Sequence, residues 1–113
     1  AYDLASLIDD VRFQTSRKLK AKLLSYYIEN NKNKINKIEF VNDFCILSVL
    51  RNLKIIGIFT RLSLRDQKNQ YLKLIPYAWK LIENRIKKKP VFKDLKLFLN
   101  KNFSAKLRKK NAN

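Results

Sequence analysis

Apolar residues recur along this chain at steps of three and four and nowhere in sustained alternation, which predicts helices and no strands. Leu4, Leu7, Ile8 and Val11 share one face of a helix predicted over 3–13, with Asp3 where an N-cap would sit. Leu19, Leu23 and Tyr26 or Tyr27 form the stripe of a second helix over 16–30, capped by Ser16 or Thr15. A polar connection rich in Asn and Lys follows at 30–34. The third predicted helix, 38–64, is the longest and is apolar almost all round, from Phe40 and Phe44 through Leu50 and Ile56 to Leu62. A helix of that kind is expected to be covered by neighbours on most sides.

Leu72, Ile75, Trp79, Ile82 and Ile86 predict a fourth helix, with Pro76 inside the run. Proline lacks the backbone N–H and clashes with the preceding turn. A short turn is therefore expected to end near Pro76, which opens the main helix at its first position. Phe92, Leu95, Leu99 and Phe103 give a fifth helix over 92–103, after the stop at Pro90. The expected architecture is all-α, a bundle of about five helices forming one domain over 1–113. Its basic tail at 104–113 is expected to fray. Cys45 and Trp79 lie among apolar positions and are expected in the core. Gly57, in the middle of the third helix, costs about 1 kcal/mol relative to Ala. It predicts close approach of another helix backbone or a tolerated glycine.

Composition narrows the chemistry. The 113 residues include no His, one Cys and one Gly. A Cys and His zinc site, a Ser–His or Cys–His nucleophile pair and a glycine-rich phosphate loop are all excluded. No apolar run reaches the length of a membrane helix. The first residues carry Asp3, Asp9 and Asp10 rather than the basic start of a signal peptide. The lone Cys45 suits a reducing cytoplasm. The chain opens on Ala1 already in helical pattern, as expected of a segment of a longer protein.

The net charge is +17, and such an excess suggests a nucleic-acid partner. Lys, Asn and Ile dominate the composition, however, and all three have codons rich in A and T. Solvated Lys-rich helix faces are the simpler account. The basic clusters at 17–22, 32–37, 85–89 and 106–110 also fall on several elements rather than on one recognition helix. One local feature is sharper. Arg51, Lys54, Arg61 and Arg65 share a face of the otherwise apolar third helix. They form either its solvated edge or the wall of an anion-binding cleft.

Two blocks carry a resemblance. Tyr2-Asp3-Leu4-Ala5-Ser6-Leu7-Ile8-Asp9-Asp10 resembles the segment that follows the metal-binding motif in the aminoglycoside phosphotransferase and choline kinase-like family. Arg51-Asn52-Leu53-Lys54-Ile55-Ile56-Gly57-Ile58-Phe59-Thr60-Arg61-Leu62, with Arg65-Asp66, Tyr71-Leu72, Ile75-Pro76 and Trp79, resembles a bacterial branch of it. That branch includes kinases that phosphorylate N-acetylmuramate and N-acetylglucosamine. The resemblance runs from residue 1 to about residue 103. It implies the C-terminal, acceptor-side helical part of an ATP-dependent, two-lobed phosphotransferase. The catalytic loop, the metal-binding motif and the nucleotide lobe would belong to the N-terminal part of the parent chain, which would be this segment's partner. This segment would then carry no catalytic residue and no metal ligand, and would bind no cofactor itself; ATP and magnesium are implied for the parent. Asp3 matches a family Asp that supports the catalytic loop. Arg51, Asn52, Lys54 and Arg61 are the candidate residues for binding the sugar or an anion. Two positions depart from the family, which often has Gly where this chain has Gln67 and Arg where it has Tyr77.

Overall fold

The computed structural model describes residues 2–31, 33, 36–87 and 89–110. Parts of the expected polar connection (Lys32 and Lys34), of the 85–89 cluster (Lys88) and of the tail (111–113) lie outside them. Among the described residues the fold is all-α. Six helices, α1 (Tyr2–Ile8), α2 (Arg17–Asn30), α3 (Lys37–Asp66), α4 (Ile75–Ile86), α5 (Lys93–Asn102) and α6 (Ala105–Arg108), are joined in part by 3-10 turns at Asn69–Leu74 and Pro90–Phe92. None of the helices is long and apolar enough to cross a membrane.

Local chemistry fixes most of the boundaries. The Ser16 hydroxyl accepts from the Leu19 N–H at 3.2 Å and starts α2. The Asn36 side chain accepts from the Glu39 N–H at 3.2 Å and starts α3. Pro76 sits in the first turn of α4, directly after the 3-10 turn, where its missing N–H costs nothing. The first helix is shorter than its apolar pattern predicts and ends at Ile8. Asp10 Oδ1 accepts from the Arg12 N–H at 2.9 Å, and this side-chain turn competes with a further helical turn. Asp3 lies inside the first turn of α1 rather than at its cap.

Phe44 and Val49 of α3 pack with Ala5 and Ile8 of α1 and with Trp79, Ile82 and Ile86 of α4. Phe92 and Leu99 close the cluster from the α5 side. Each fully buried Val, Ile or Phe contributes about 1.5–3 kcal/mol. Cys45 and Trp79 belong to this core, and burial pushes the Cys45 thiol up against the pull of Arg85 and Lys89.

Several faces differ from the sequence pattern. α3 is covered on one face only, through Phe44, Cys45, Ser48, Val49 and Asn52, while Ile38, Leu50 and Leu64 stay exposed. α2 turns Lys20, Leu24 and Ile28 inward and leaves the expected stripe of Leu19, Leu23 and Tyr26 exposed. Leu7 of α1 is 69% exposed. No backbone approaches Gly57: a Cβ built there would meet nothing within 4 Å.

Part of the basic tail forms the short helix α6. Ser104 caps α6 by accepting from the Leu107 N–H at 3.1 Å. Arg108 is 7% exposed. Its guanidinium donates to Glu83 at 2.8 Å, to Asn100 at 3.0 Å and to the Phe103 carbonyl at 2.9 Å, and lies 4.9 Å over the Trp79 ring. One arginine therefore anchors residues that a Lys-rich composition alone would leave in solvent.

Candidate functional site

Asp9 follows α1 directly and is 1% exposed. Burial alone would raise its carboxyl, yet the group is held below the usual carboxylate range. Arg85 of α4 supplies a fork, with Nε on Oδ2 at 2.7 Å and Nη2 on Oδ1 at 2.9 Å. The Ser48 hydroxyl of α3 donates to Oδ2 at 2.5 Å, and Lys20 Nζ of α2 donates to Oδ1 at 3.1 Å. Lys20 also donates to the Tyr77 hydroxyl oxygen at 3.3 Å, and the Arg85 guanidinium lies 4.9 Å from the centre of the Phe44 ring. Asp9 thus links residues from α2, α3 and α4 at the end of α1. Arg85 is correspondingly held above its ordinary range, because Asp9 outweighs its own desolvation.

Two neighbouring polar atoms are left over. Asn52 of α3 is 0% exposed; its Nδ2 donates to the Ser48 carbonyl at 3.0 Å, while its Oδ1 is buried without a partner. Arg51 Nη1 is also buried without a partner. Arg51 acts on Asp10 through its charge, but the larger influence there is the hydrogen bond from Arg12. Unused buried donors and acceptors each cost about 1–3 kcal/mol unless something supplies the missing bond.

The structure places the other sequence candidates apart from these two. Asp3 is exposed at the start of α1. Lys54 and Arg61 are exposed on α3. Arg51 and Arg61 are separated by about 15 Å of helix rise, so the stripe is spread along α3 and does not converge on one point. Arg61 borders an apolar groove of about 500 Å³ floored by Leu53, Ile56 and Gly57 and walled by Trp79 and Phe103.

Sequence reasoning missed Asp9, Lys20, Ser48 and Arg85. The inward face of α2 held the only signal for Lys20, since positions 20, 24 and 28 are evenly spaced by helical turns. It also treated the basic clusters at 17–22 and 85–89 as scattered. The structure brings them together, with Arg17 Nη2 donating to Asn84 Oδ1 at 2.8 Å across α2 and α4. Among the described residues, no three His, Cys, Asp or Glu side chains gather as a metal site.

The chain is 33% identical over 79 residues to the N-acetylmuramate/N-acetylglucosamine kinase of Caulobacter vibrioides. The match covers 70% of this chain and 22% of that protein, so the chain spans about a fifth of the curated relative. No family model matches the chain, and no solved structure does. The similarity establishes a relationship to part of a kinase.

Proposed function

We propose that this chain is the C-terminal, acceptor-side helical part of an ATP-dependent phosphotransferase of the aminoglycoside phosphotransferase-like family, and that the acceptor is a sugar. The observation that carries this reading is the match to a sugar kinase over 70% of the chain. The all-α arrangement fits such a subdomain. ATP and magnesium, held by the rest of the parent chain, supply the phosphoryl group. This segment's part is to position the acceptor and balance its charge, which is most of what phosphoryl transfer asks of a protein.

Asp3, exposed at the start of α1, is free to hold a preceding loop through its carboxylate. Arg51 and Asn52 bring buried polar atoms with unused hydrogen-bonding capacity, and Lys54 and Arg61 extend the cationic wall along α3. The exposed Leu7 lies on the same short helix as Asp3 and would meet the N-terminal part of the parent. Such an enzyme would work in the cytoplasm, where ATP is supplied.

The test uses the full reading frame, assayed for ATP consumption with amino sugars, N-acetylated sugars, choline and aminoglycosides. Turnover of a sugar is expected, with KM raised by Arg51→Ala, Lys54→Ala or Arg61→Ala. A parent chain that binds no ATP overturns the kinase reading. Unchanged kinetic constants in all three variants overturn the role of α3 in holding the acceptor.

A further inference from the structure

The cleft between α2 and the end of α4 has no part in the acceptor-side reading, and its charge is unbalanced. Arg17, Lys20, Asn84, Arg85 and Lys87 line a cavity of about 260 Å³. A second cavity, of about 330 Å³, shares Arg17, Asn84, Arg85 and Lys87 and adds Lys89. Among the described residues no carboxylate lines either space, and Glu83 lines an adjoining one. Beneath them Asp9 provides one negative charge for two cations, Lys20 and Arg85. Lys20 is only 8% exposed, so water screens this excess less than it would at an open surface.

We propose that this cleft binds an oligophosphate anion, of which pyrophosphate is the simplest. Donors remain for it. Arg85 gives Nε and Nη2 to Asp9, and its Nη1 has no acceptor among the described residues. Lys20 gives two bonds, although an ammonium can donate three. Arg17 is held in place by Asn84. The cations form two sets, Lys20 and Arg85 at the floor and Arg17, Lys87 and Lys89 around it. A chain of two or more phosphates can meet both sets, whereas a single small anion meets one.

Arg85 and Lys87 also complement the negative end of α4. That accounts for neither Arg17 nor Lys20, which come from α2 and face the same space. A nucleic-acid duplex is the poorer ligand, because the floor cations lie between helices rather than on one that could enter a groove. The inference stands independently of the kinase reading.

The experiment is calorimetric titration of the 113-residue chain with sodium pyrophosphate at physiological salt. Its variants are Arg17→Ala/Lys87→Ala and a charge-matched control, Lys106→Ala/Lys109→Ala. All four positions are exposed, and helical circular dichroism checks that each protein is folded. Saturable one-to-one binding is expected. It should weaken by about tenfold or more in the cleft variant, where charge-assisted bonds are lost, and stay close to wild type in the control. Equal weakening in both variants overturns the proposal in favour of diffuse attraction to a +17 chain. So does absence of saturable pyrophosphate binding.

Discussion

The first half of α3 holds every buried residue of that helix, the polar Ser48 and Asn52 among them, whereas the second half buries none. Around Ser48 and Asn52 the helix is covered by α1 and α4; Ser48 donates to Asp9 and Asn52 to the Ser48 carbonyl. From Leu53 onward the same helix floors an open groove, Gly57 faces empty space and Leu64 is 80% exposed. The two halves look alike as patterns, both rich in Ile, Leu and Phe on every side. What separates them is the company each half finds. An apolar all-round helix signals that much could be covered, without saying which half this chain covers itself.

The largest effect should come from the covered half. Asp9→Asn removes the one negative charge from a site that keeps Arg85 and Lys20. Breaking a buried ion pair from one side costs about 3–5 kcal/mol, and urea unfolding at neutral pH measures it. The pH dependence has a definite sign. The Asp9 carboxyl titrates below its ordinary value in the folded chain. Its stabilising contribution is therefore complete above the unfolded carboxylate pKa of about 4 and is lost as pH falls toward the lower folded value. The wild-type chain should lose stability below about pH 4 more steeply than the variant. A variant as stable as wild type would mean that apolar contacts alone hold the first half.

The helices themselves were legible in the sequence, because periodicity, caps and prolines act locally. Ser16 and the stripe of Leu95 and Leu99 lie where the pattern puts them, and Pro76 lies one residue inside the start of α4 rather than at its first position. The Asp9 site was not legible. Its members are brought together by packing from four separate places in the chain, and nothing local sets Lys20 apart from Lys18 or Lys22 before α2 docks. The same holds for Arg108, whose partners Glu83 and Asn100 lie on α4 and α5. Gln67 is the reverse case, a position the sequence singled out and whose backbone is left-handed.

Gln67 ends the exposed half. It adopts φ 56°, in the left-handed region, and the Lys68 N–H closes the helix on the Leu62 carbonyl at 2.9 Å. Glycine reaches this conformation without the clash that a Cβ brings. Gln67→Gly should raise stability by about 1 kcal/mol, the relieved strain outweighing the greater freedom of the unfolded chain. A thermal melt at neutral pH measures the change. A loss instead would mean that the Gln67 side chain contributes more at this end than its backbone strain costs.

Gly57 gives the smallest change and the sharpest reading of the comparison. It lies inside a long helix, is exposed, and has room for a methyl group. In the 113-residue chain Gly57→Ala should therefore add about 0.8 kcal/mol through helix propensity alone, read as a higher urea midpoint with an unchanged slope. The same substitution in the longer parent protein tests what the groove meets there. A similar gain would show that the second half of α3 faces solvent in the whole enzyme too. If the gain disappears or turns into a loss, another part of the parent lies against the helix at Gly57, and the apolar surface around Leu64 is an internal contact. Only in that second case does the glycine have a packing reason, supplied by residues outside the present chain.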